Sequence, residues 1–284
     1  MSAASADNQH VRVRPRFNVI EVVLVLVGVA VLSYFSGKYR AERYLRPFLP
    51  NGSSELRPLA EKYGPSRNSE HGEEWIVRDF FEDQRGGVFV DVGANDYRRD
   101  SNTYYLETAL GWSGIAIEPQ EKFAADYMRH RPHTRFVPLF VSDVSDKDVT
   151  LYVPTTDLLA SGSRAVAEER AGQVAVAVKS RSATLDDILA KAGANRTDFV
   201  SIDVEEHEPQ VLRGFSIDAF KPRLVCIEAH PAVRQAILDY FAAHQYVLVG
   251  KYLRADSENL WFQTRSMVPT VSPVNAIEPA RPGQ

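Results

Sequence analysis

Four carboxylates in the sequence each lie at the end of a short apolar run. The runs are rich in β-branched and aromatic residues, which is typical of strands buried on both faces. In a parallel sheet the carboxyl ends of adjacent strands lie side by side, so the four acids would crowd one edge. Carboxylates placed there can accept hydrogen bonds from the ammonium, amide and hydroxyl groups of a ligand. The four are Asp91, Glu118, Asp203 and Glu228.

Residues 88–96, Val-Phe-Val-Asp-Val-Gly-Ala-Asn-Asp, have the pattern of a strand followed by a cofactor-binding turn. Gly93 can adopt backbone angles that other residues avoid, and with Ala94 and Asn95 it would let a ligand approach the main chain. Asp91, near the end of the strand, can accept hydrogen bonds from a bound ammonium or amide. An ordinary strand-to-helix turn with a capping Asp fits the same short pattern.

Two further acids extend this candidate cofactor site. A helix separates the first two strands, which predicts a right-handed crossover and parallel pairing, so Asp91 and Glu118 would face one crevice. Glu118 could accept both hydroxyls of a ribose, although a solvent-facing Glu at a strand end is also common. Asp143, or the backbone amide beside it, follows a third strand and could meet an adenine amino group.

A second group of acids, with two histidines, follows the strands at 199–203 and 224–228. Crowded carboxylates of this kind are expected to have shifted pKa values. The catalytic candidates are His230, His207 and Asp203: either histidine could act as the general base, and Asp203, Glu205 or Glu208 could orient it or bind a divalent ion. His207 is equally compatible with a surface position on the first turn of a helix. Oxygen-rich ligands with one imidazole would suit Mg or Mn better than zinc, and the predicted metal ligands are Asp203, Glu205 and Glu208.

The elements that must position these residues alternate between strands and helices. The last two strands are predicted to form an antiparallel pair, and residues 158–163 form a loop that is either a lid or a plain connection. Helices are predicted at 69–81, 101–110, 122–131, 184–189, around 211–215 and at 232–244. Strands are predicted at 88–92, 114–118, 135–141, 149–153, 173–179, 199–203, 224–228, 246–253 and 260–264.

Composition narrows the class of protein. With 284 residues and 44% hydrophobic residues, the chain can form one large domain with extra segments. Its net charge of -4 offers no electrostatic footprint for nucleic acid. Cys226 is the single cysteine, so an internal disulfide and a thiolate metal cluster are both excluded. The sequence sets no oligomeric state.

The ends of the chain differ from its centre. Residues 1–16 are polar and basic and are predicted to be disordered. Residues 17–36 are predicted to form a single membrane-spanning helix, because their core at 22–32 is apolar on every face, with Glu21 as the one discordant residue. A cleaved signal peptide, an interfacial helix and a buried soluble helix are the alternatives. Residues 37–68 are interpreted as a juxtamembrane linker with a short helix near 54–63, residues 69–266 as the globular domain, and residues 267–284 as a disordered, proline-rich tail.

From about residue 69 to 262 the sequence resembles the FkbM-type S-adenosylmethionine-dependent methyltransferases. The resemblance depends on several blocks in the same order: 89–96, 101–104, 110–115 with Glu118, 184–186, 201–205 with His207 and Glu208, 211–212, and 221–224 with Glu228. It implies a class I methyltransferase fold, a Rossmann-like α/β architecture with a mostly parallel seven-stranded sheet and helices on both faces. It also implies that Asp91, Gly93, Ala94 and Asn95 line the methionine end of S-adenosylmethionine, with Glu118 at the ribose and Asp143 near adenine.

Two positions depart from the family pattern, because Tyr97 and Glu206 stand where the family usually has glycine. Tyr97 could crowd the cofactor or stack on it, or catalysis could have been lost. A nicotinamide-dependent oxidoreductase is disfavoured, since Asn95 and Arg98 occupy positions where its fingerprint requires glycine.

The expected function is O-methylation of a saccharide, glycolipid or other lipid-linked acceptor by a membrane-anchored enzyme. Because S-adenosylmethionine is a cytosolic metabolite, the catalytic domain is expected to face the cytoplasm. The alternative is a catalytically inactive, membrane-anchored binding or trafficking protein on the same scaffold.

Overall fold

The computed structural model describes residues 56–64, 68–154 and 160–268. The predicted disordered tail at 1–16, the predicted membrane helix at 17–36 and the tail beyond residue 268 lie outside these ranges. Within them, no helix has the length and apolar character needed to cross a membrane.

Seven strands form one mixed sheet in the order β3-β2-β1-β7-β8-β10-β9. The first five in this order pair in parallel, and β10 runs antiparallel to both of its neighbours. The strand order reverses between β1 and β7, the position where open α/β sheets bind ligands. The strands are β1 Val88–Val92, β2 Ser113–Ile117, β3 Thr134–Val137, β7 Phe199–Ile202, β8 Leu224–Glu228, β9 Tyr246–Leu248 and β10 Asn259–Thr264.

Helices cover both faces of this sheet, as the resemblance implied. Alternate residues of β1 show why: Phe89 packs with α2 and α3 on one face, whereas Val90 packs with α6, α7 and α9 on the other. Both side chains are 0–1% exposed, so each contributes roughly 2 kcal/mol of apolar burial. The helices are α1 Arg57–Tyr63, α2 Glu73–Phe81, α3 Tyr104–Leu110, α4 Ala124–His130, α5 Arg164–Ala171, α6 Leu185–Ala192, α7 Glu208–Arg213, α8 Ile217–Phe220 and α9 Arg234–Ala243.

A second, three-stranded sheet corrects one of the strand predictions. The predicted strand at 135–141 divides at Pro138, which has no N–H to continue the ladder with β2. Its first half is β3, and its second half is β4, which pairs in parallel with β6. In turn β6 pairs antiparallel with β5, as the predicted hairpin-like excursion required. The three strands are β4 Phe140–Val141, β5 Asp148–Val153 and β6 Val176–Ala183.

Two other predicted strands have bounds that differ by several residues from those of the structure. The predicted strand at 246–253 ends at Leu248, and a 3-10 turn, Gly250–Tyr252, follows it. The predicted strand at 173–179 is displaced toward the carboxyl terminus as β6. The short helix expected within 54–63 is confirmed as α1, and it packs on α2, where the Arg78 guanidinium donates to the Tyr63 carbonyl at 2.9 Å.

Gly93 is the residue that lets β1 and β7 end side by side. Its φ is +83°, and a Cβ atom at this position would lie 1.8 Å from the carbonyl oxygen of Asp203. Glycine is therefore required at this position for two reasons. The backbone is left-handed, and the end of the neighbouring strand β7 approaches closely.

Replacement of Gly93 by alanine is expected to lower the free energy of unfolding by at least about 3 kcal/mol, because backbone atoms of Asp203 must move. Gly111→Ala is the matched control: its φ is +67°, yet no atom lies within 4 Å of an added Cβ. That control should lose only roughly 1 kcal/mol from the left-handed backbone. Urea unfolding of both variants measures the difference, and equal losses would contradict the close-packing account.

Candidate functional site

The turn after β1 is held against β2 by its own backbone. The amides of Gly93 and Ala94 donate to the Ile117 carbonyl at 2.9 and 3.2 Å. On the other side, the buried Tyr127 hydroxyl donates to the Ala94 carbonyl at 3.1 Å. The turn is therefore fixed from two directions, as a preformed cofactor site requires.

Glu118 follows β2 and contacts the same turn. Its carboxylate accepts hydrogen bonds from the amides of Asn95 at 3.3 Å and Gln120 at 2.9 Å. The side chain is 4% exposed, and burial raises its pKa to about 7 against the opposing effect of these amides. The structure thus places Glu118, the residue predicted to bind the ribose, against the turn predicted to bind the methionine portion.

Asp91 lies within β1 and is held by the residue that precedes α3. Its carboxylate accepts a 2.7 Å hydrogen bond from the hydroxyl of Thr103. Burial raises the pKa of Asp91 to about 6, while the Thr103 hydroxyl and the charge of Arg131 act in the opposite direction. Arg131 also donates to the Thr103 hydroxyl at 3.1 Å, so the three residues form one network.

Arg131 is a supporting residue that the sequence prediction missed. It is 0% exposed, and its guanidinium pairs with the buried carboxylate of Glu107. A second nitrogen donates to the Tyr97 carbonyl at 2.8 Å, which ties the turn after β1 to the end of α4. Nothing in the sequence separates this arginine from the other basic residues around it.

The first departure from the family pattern has a structural explanation. The Tyr97 ring stacks on His130 of α4, with ring centroids 4.6 Å apart and an angle of 19° between the planes. The rings of Tyr97 and Tyr104 are arranged edge to face, with their centroids 6.3 Å apart. The extra side chain therefore packs between helices α3 and α4.

Asp203 follows β7 beside Gly93, and its side chain is open to solvent. The protein surrounding this accessible carboxylate raises its pKa well above the ordinary value, and repulsion from Glu228, Glu205, Glu208 and Glu70 adds to the shift.

The structure groups Glu205, Glu228 and His230 more tightly than the predicted metal ligands. One ligand atom from each of the three lies within 4.8 Å of the others. Glu205 was predicted as a ligand, whereas Glu228 and His230 replace Asp203 and Glu208 in the compact set. Glu208 is buried beside it, accepts from the Val204 amide at 3.1 Å, and has a pKa raised by burial to about 7.

His207 and Asp143 lie on the side of the second sheet. The His207 Nε2 atom is 3.1 Å from the Ser142 hydroxyl, its ring packs on Phe140, and burial lowers its pKa. Asp143 forms a 2.9 Å ion pair with Arg213, which lowers the pKa of its carboxyl. The structure therefore places His230 next to Glu205 and Glu228, and it leaves His207 beside β4.

Part of the loop predicted to be a lid or a plain connection contacts Glu205. Within residues 158–163, the structure describes 160–163, and the Ser161 hydroxyl donates to the Glu205 carbonyl at 3.4 Å. Ser161 also exchanges backbone hydrogen bonds of 2.8 and 3.0 Å with Tyr152 of β5.

Comparison with known proteins identifies the family. Residues 91–248, more than half of the 284-residue chain, match the model of the methyltransferase FkbM domain. The chain belongs to the FkbM methyltransferase family. The match spans both groups of carboxylates, and the family assignment makes the protein an S-adenosylmethionine-dependent methyltransferase. No curated protein matches the sequence.

Three solved methyltransferase structures show distant similarity to this FkbM protein. The METTL16 methyltransferase domain is 10% identical, with a TM-score of 0.42 over 80% of this chain and 82% of that chain. The Burkholderia thailandensis 1,6-didemethyltoxoflavin-N1-methyltransferase, with bound S-adenosylhomocysteine, is 15% identical, with a TM-score of 0.34 over 89% and 93%. The Bacillus cereus O-methyltransferase is 13% identical, with a TM-score of 0.37 over 78% and 96%. At these scores the structures add nothing to the family assignment.

Cofactor affinity is expected to depend on pH through Glu118. Only the ionised carboxylate can accept both ribose hydroxyls, so binding should weaken as pH falls below about 7, approaching tenfold per pH unit. Asp91, with a pKa of about 6, should steepen the fall at lower pH. Calorimetric titration with S-adenosylmethionine from pH 5 to 7.5 measures this dependence. Glu118→Gln should bind weakly and keep only the shallower pH dependence that Asp91 contributes near pH 6. Glu121→Gln, which changes an exposed carboxylate, is the control. A flat wild-type profile would contradict the Glu118 assignment.

Proposed function

We propose that this protein transfers the methyl group of S-adenosylmethionine to a hydroxyl of a saccharide, glycolipid or other lipid-linked acceptor at a membrane. The observation that carries the proposal is the adjacency of two sites at one sheet edge. The turn after β1 and Glu118 suit the cofactor, and the neighbouring ends of β7 and β8 carry acids and an imidazole. A hydroxyl acceptor must lose a proton during transfer, and this second site offers groups that can take it.

The cofactor is proposed to contact residues at the carboxyl ends of β1 and β2. Gly93, Ala94 and Asn95 would provide main chain to the methionine portion, Asp91 would attract its ammonium, and Glu118 would accept the ribose hydroxyls. The predicted adenine role of Asp143 is less favoured, because its carboxylate pairs with Arg213. The amide beside Asp143 remains the group for that contact.

Methyl transfer is an in-line displacement at carbon. A lone pair of the acceptor oxygen forms the new C–O bond while the C–S bond breaks, and its electron pair goes to sulfur, which leaves S-adenosylhomocysteine. Asp203 is proposed to receive the hydroxyl proton, because it follows β7 directly beside Gly93 and its side chain is accessible. Rigid positioning of nucleophile, methyl and sulfur supplies much of the acceleration. A divalent cation, Mg or Mn, is the second cofactor that we propose.

Replacement of Asp203 by asparagine should lower the turnover number by about 10²–10⁴-fold, the range for loss of a general base. The affinity for S-adenosylmethionine should change by less than about threefold, because the Asp203 side chain is assigned to the acceptor side. Membranes incubated with labelled cofactor and protein would identify the methylated product and measure its rate. Asp239→Asn, which removes an exposed carboxylate on α9, is the control. Cofactor binding without transfer to any membrane component would favour an inactive binding protein instead.

Membrane attachment is proposed from residues 17–36, and the catalytic domain is proposed to face the cytoplasm, where the cofactor is available. The full-length protein should sediment with membranes and resist extraction at alkaline pH, because an apolar span of this length inserts stably. Protease added to intact cells should leave the domain uncut. Complete release by alkaline carbonate would contradict the anchor.

A further inference from the structure

The ends of β7 and β8 place two carboxylates and one imidazole at the separation that a metal ion requires. The Nε2 atom of His230 is 2.6 Å from Oε1 of Glu228, and the ligand atoms of Glu205, Glu228 and His230 all lie within 4.8 Å of one another. Ligands on opposite sides of a Mg ion, each at about 2.1 Å, are roughly 4.2 Å apart. Closure of this group around an ion thus needs movements of less than about one ångström.

His230 is placed as a ligand would be. Its Nε2 atom is buried and makes no hydrogen bond with any residue of the described ranges. The Nε2 atom of His230 is thus close to Oε1 of Glu228, although the two atoms are not aligned as in a hydrogen bond. Adjacent ligands at about 2.1 Å from one ion are roughly 3 Å apart, so an ion between them would separate this nitrogen and oxygen by a few tenths of an ångström.

Glu208 supplies an independent observation. Its side chain is 0% exposed, and although one oxygen accepts from the Val204 amide, the other makes no hydrogen bond within the part of the chain that the structure describes. Glu208 interacts electrostatically with both Glu205 and His230, which places it beside the same group. A buried carboxylate oxygen without a donor is unfavourable, and a nearby cation would offset that cost.

Carboxylates crowd this edge of the sheet. The largest charge effects on Asp203 come from four carboxylates, those of Glu228, Glu205, Glu208 and Glu70. A divalent cation bound among these groups would reduce their mutual repulsion.

We propose that Glu205, Glu228 and His230 bind one Mg or Mn ion, which holds the acceptor hydroxyl beside S-adenosylmethionine. This inference rests on the proposed function and deepens it. Three protein ligands leave positions of an octahedron open, and an acceptor with two neighbouring oxygens, such as adjacent sugar hydroxyls, would fill two of them. The ion would polarise the hydroxyl that is methylated, and the released proton would pass to Asp203.

The test is a titration of the full-length protein in detergent with Mn²⁺ alone, followed by electron paramagnetic resonance. We expect one Mn²⁺ per chain. His230→Ala and Glu205→Gln, which alter ligands that follow different strands, should each weaken the affinity at least about tenfold. His244→Ala is the matched control, since it removes another histidine–carboxylate pair, with Nδ1 2.5 Å from Oδ2 of Asp218. Its Mn²⁺ affinity should equal that of the wild type.

Wild-type protein provides a second readout that does not depend on folding of the variants. Pulsed resonance should detect a coupled imidazole nitrogen on the bound Mn²⁺. Absence of Mn²⁺ binding at millimolar concentration, absence of nitrogen coupling, or unchanged affinity in both folded variants would overturn the cation site. Calorimetry with S-adenosylmethionine on the same samples separates the two proposals: retained cofactor binding without a Mn²⁺ site removes the cation alone, and loss of cofactor binding removes the proposed function.

Discussion

Parallel pairing of β1 with both β2 and β7 is the constraint on which the rest of the site depends. It aligns Val92 with Ile117 on one side and with Ile202 on the other, so the residues that follow these strands emerge at one level. Neighbouring strands are about 4.8 Å apart, a spacing close to that between parts of one small ligand. The glycine at position 93 permits this alignment, because its missing side chain leaves room for the Asp203 carbonyl.

The carboxylates at this edge have different surroundings, and these suggest different tasks. Asp91 and Glu118 are 5% and 4% exposed, and each accepts hydrogen bonds from residues that fix its position. Asp203 is accessible and surrounded by other acids. Fixed carboxylates suit recognition of a cofactor, and an accessible one suits contact with a reacting acceptor. The buried Arg131–Glu107 pair supports the first group by joining α3, α4 and the turn after β1.

Much of this arrangement was predictable from the sequence, because it depends on local patterns. Buried strands such as Val88–Val92 and Phe199–Ile202 are short apolar runs, and their order with the helices between them predicts parallel pairing. Contacts that depend on side-chain direction were not predictable. Strand periodicity could not show that His207 turns toward Ser142 and His230 toward Glu228, or that Tyr97 stacks on His130. Pro138 was a usable signal for the break between β3 and β4.

We propose that the cofactor and the cation occupy adjacent places on one sheet edge, the cofactor over β1–β2 and the cation over β7–β8. Paramagnetic relaxation of the ¹³C-labelled methyl group of S-adenosylmethionine by bound Mn²⁺ measures that separation directly. Two strand spacings are about 10 Å, so we expect strong relaxation corresponding to a distance within about 10 Å. With both ligands bound, a methyl group that relaxes as it does with diamagnetic Mg²⁺ would contradict this adjacency.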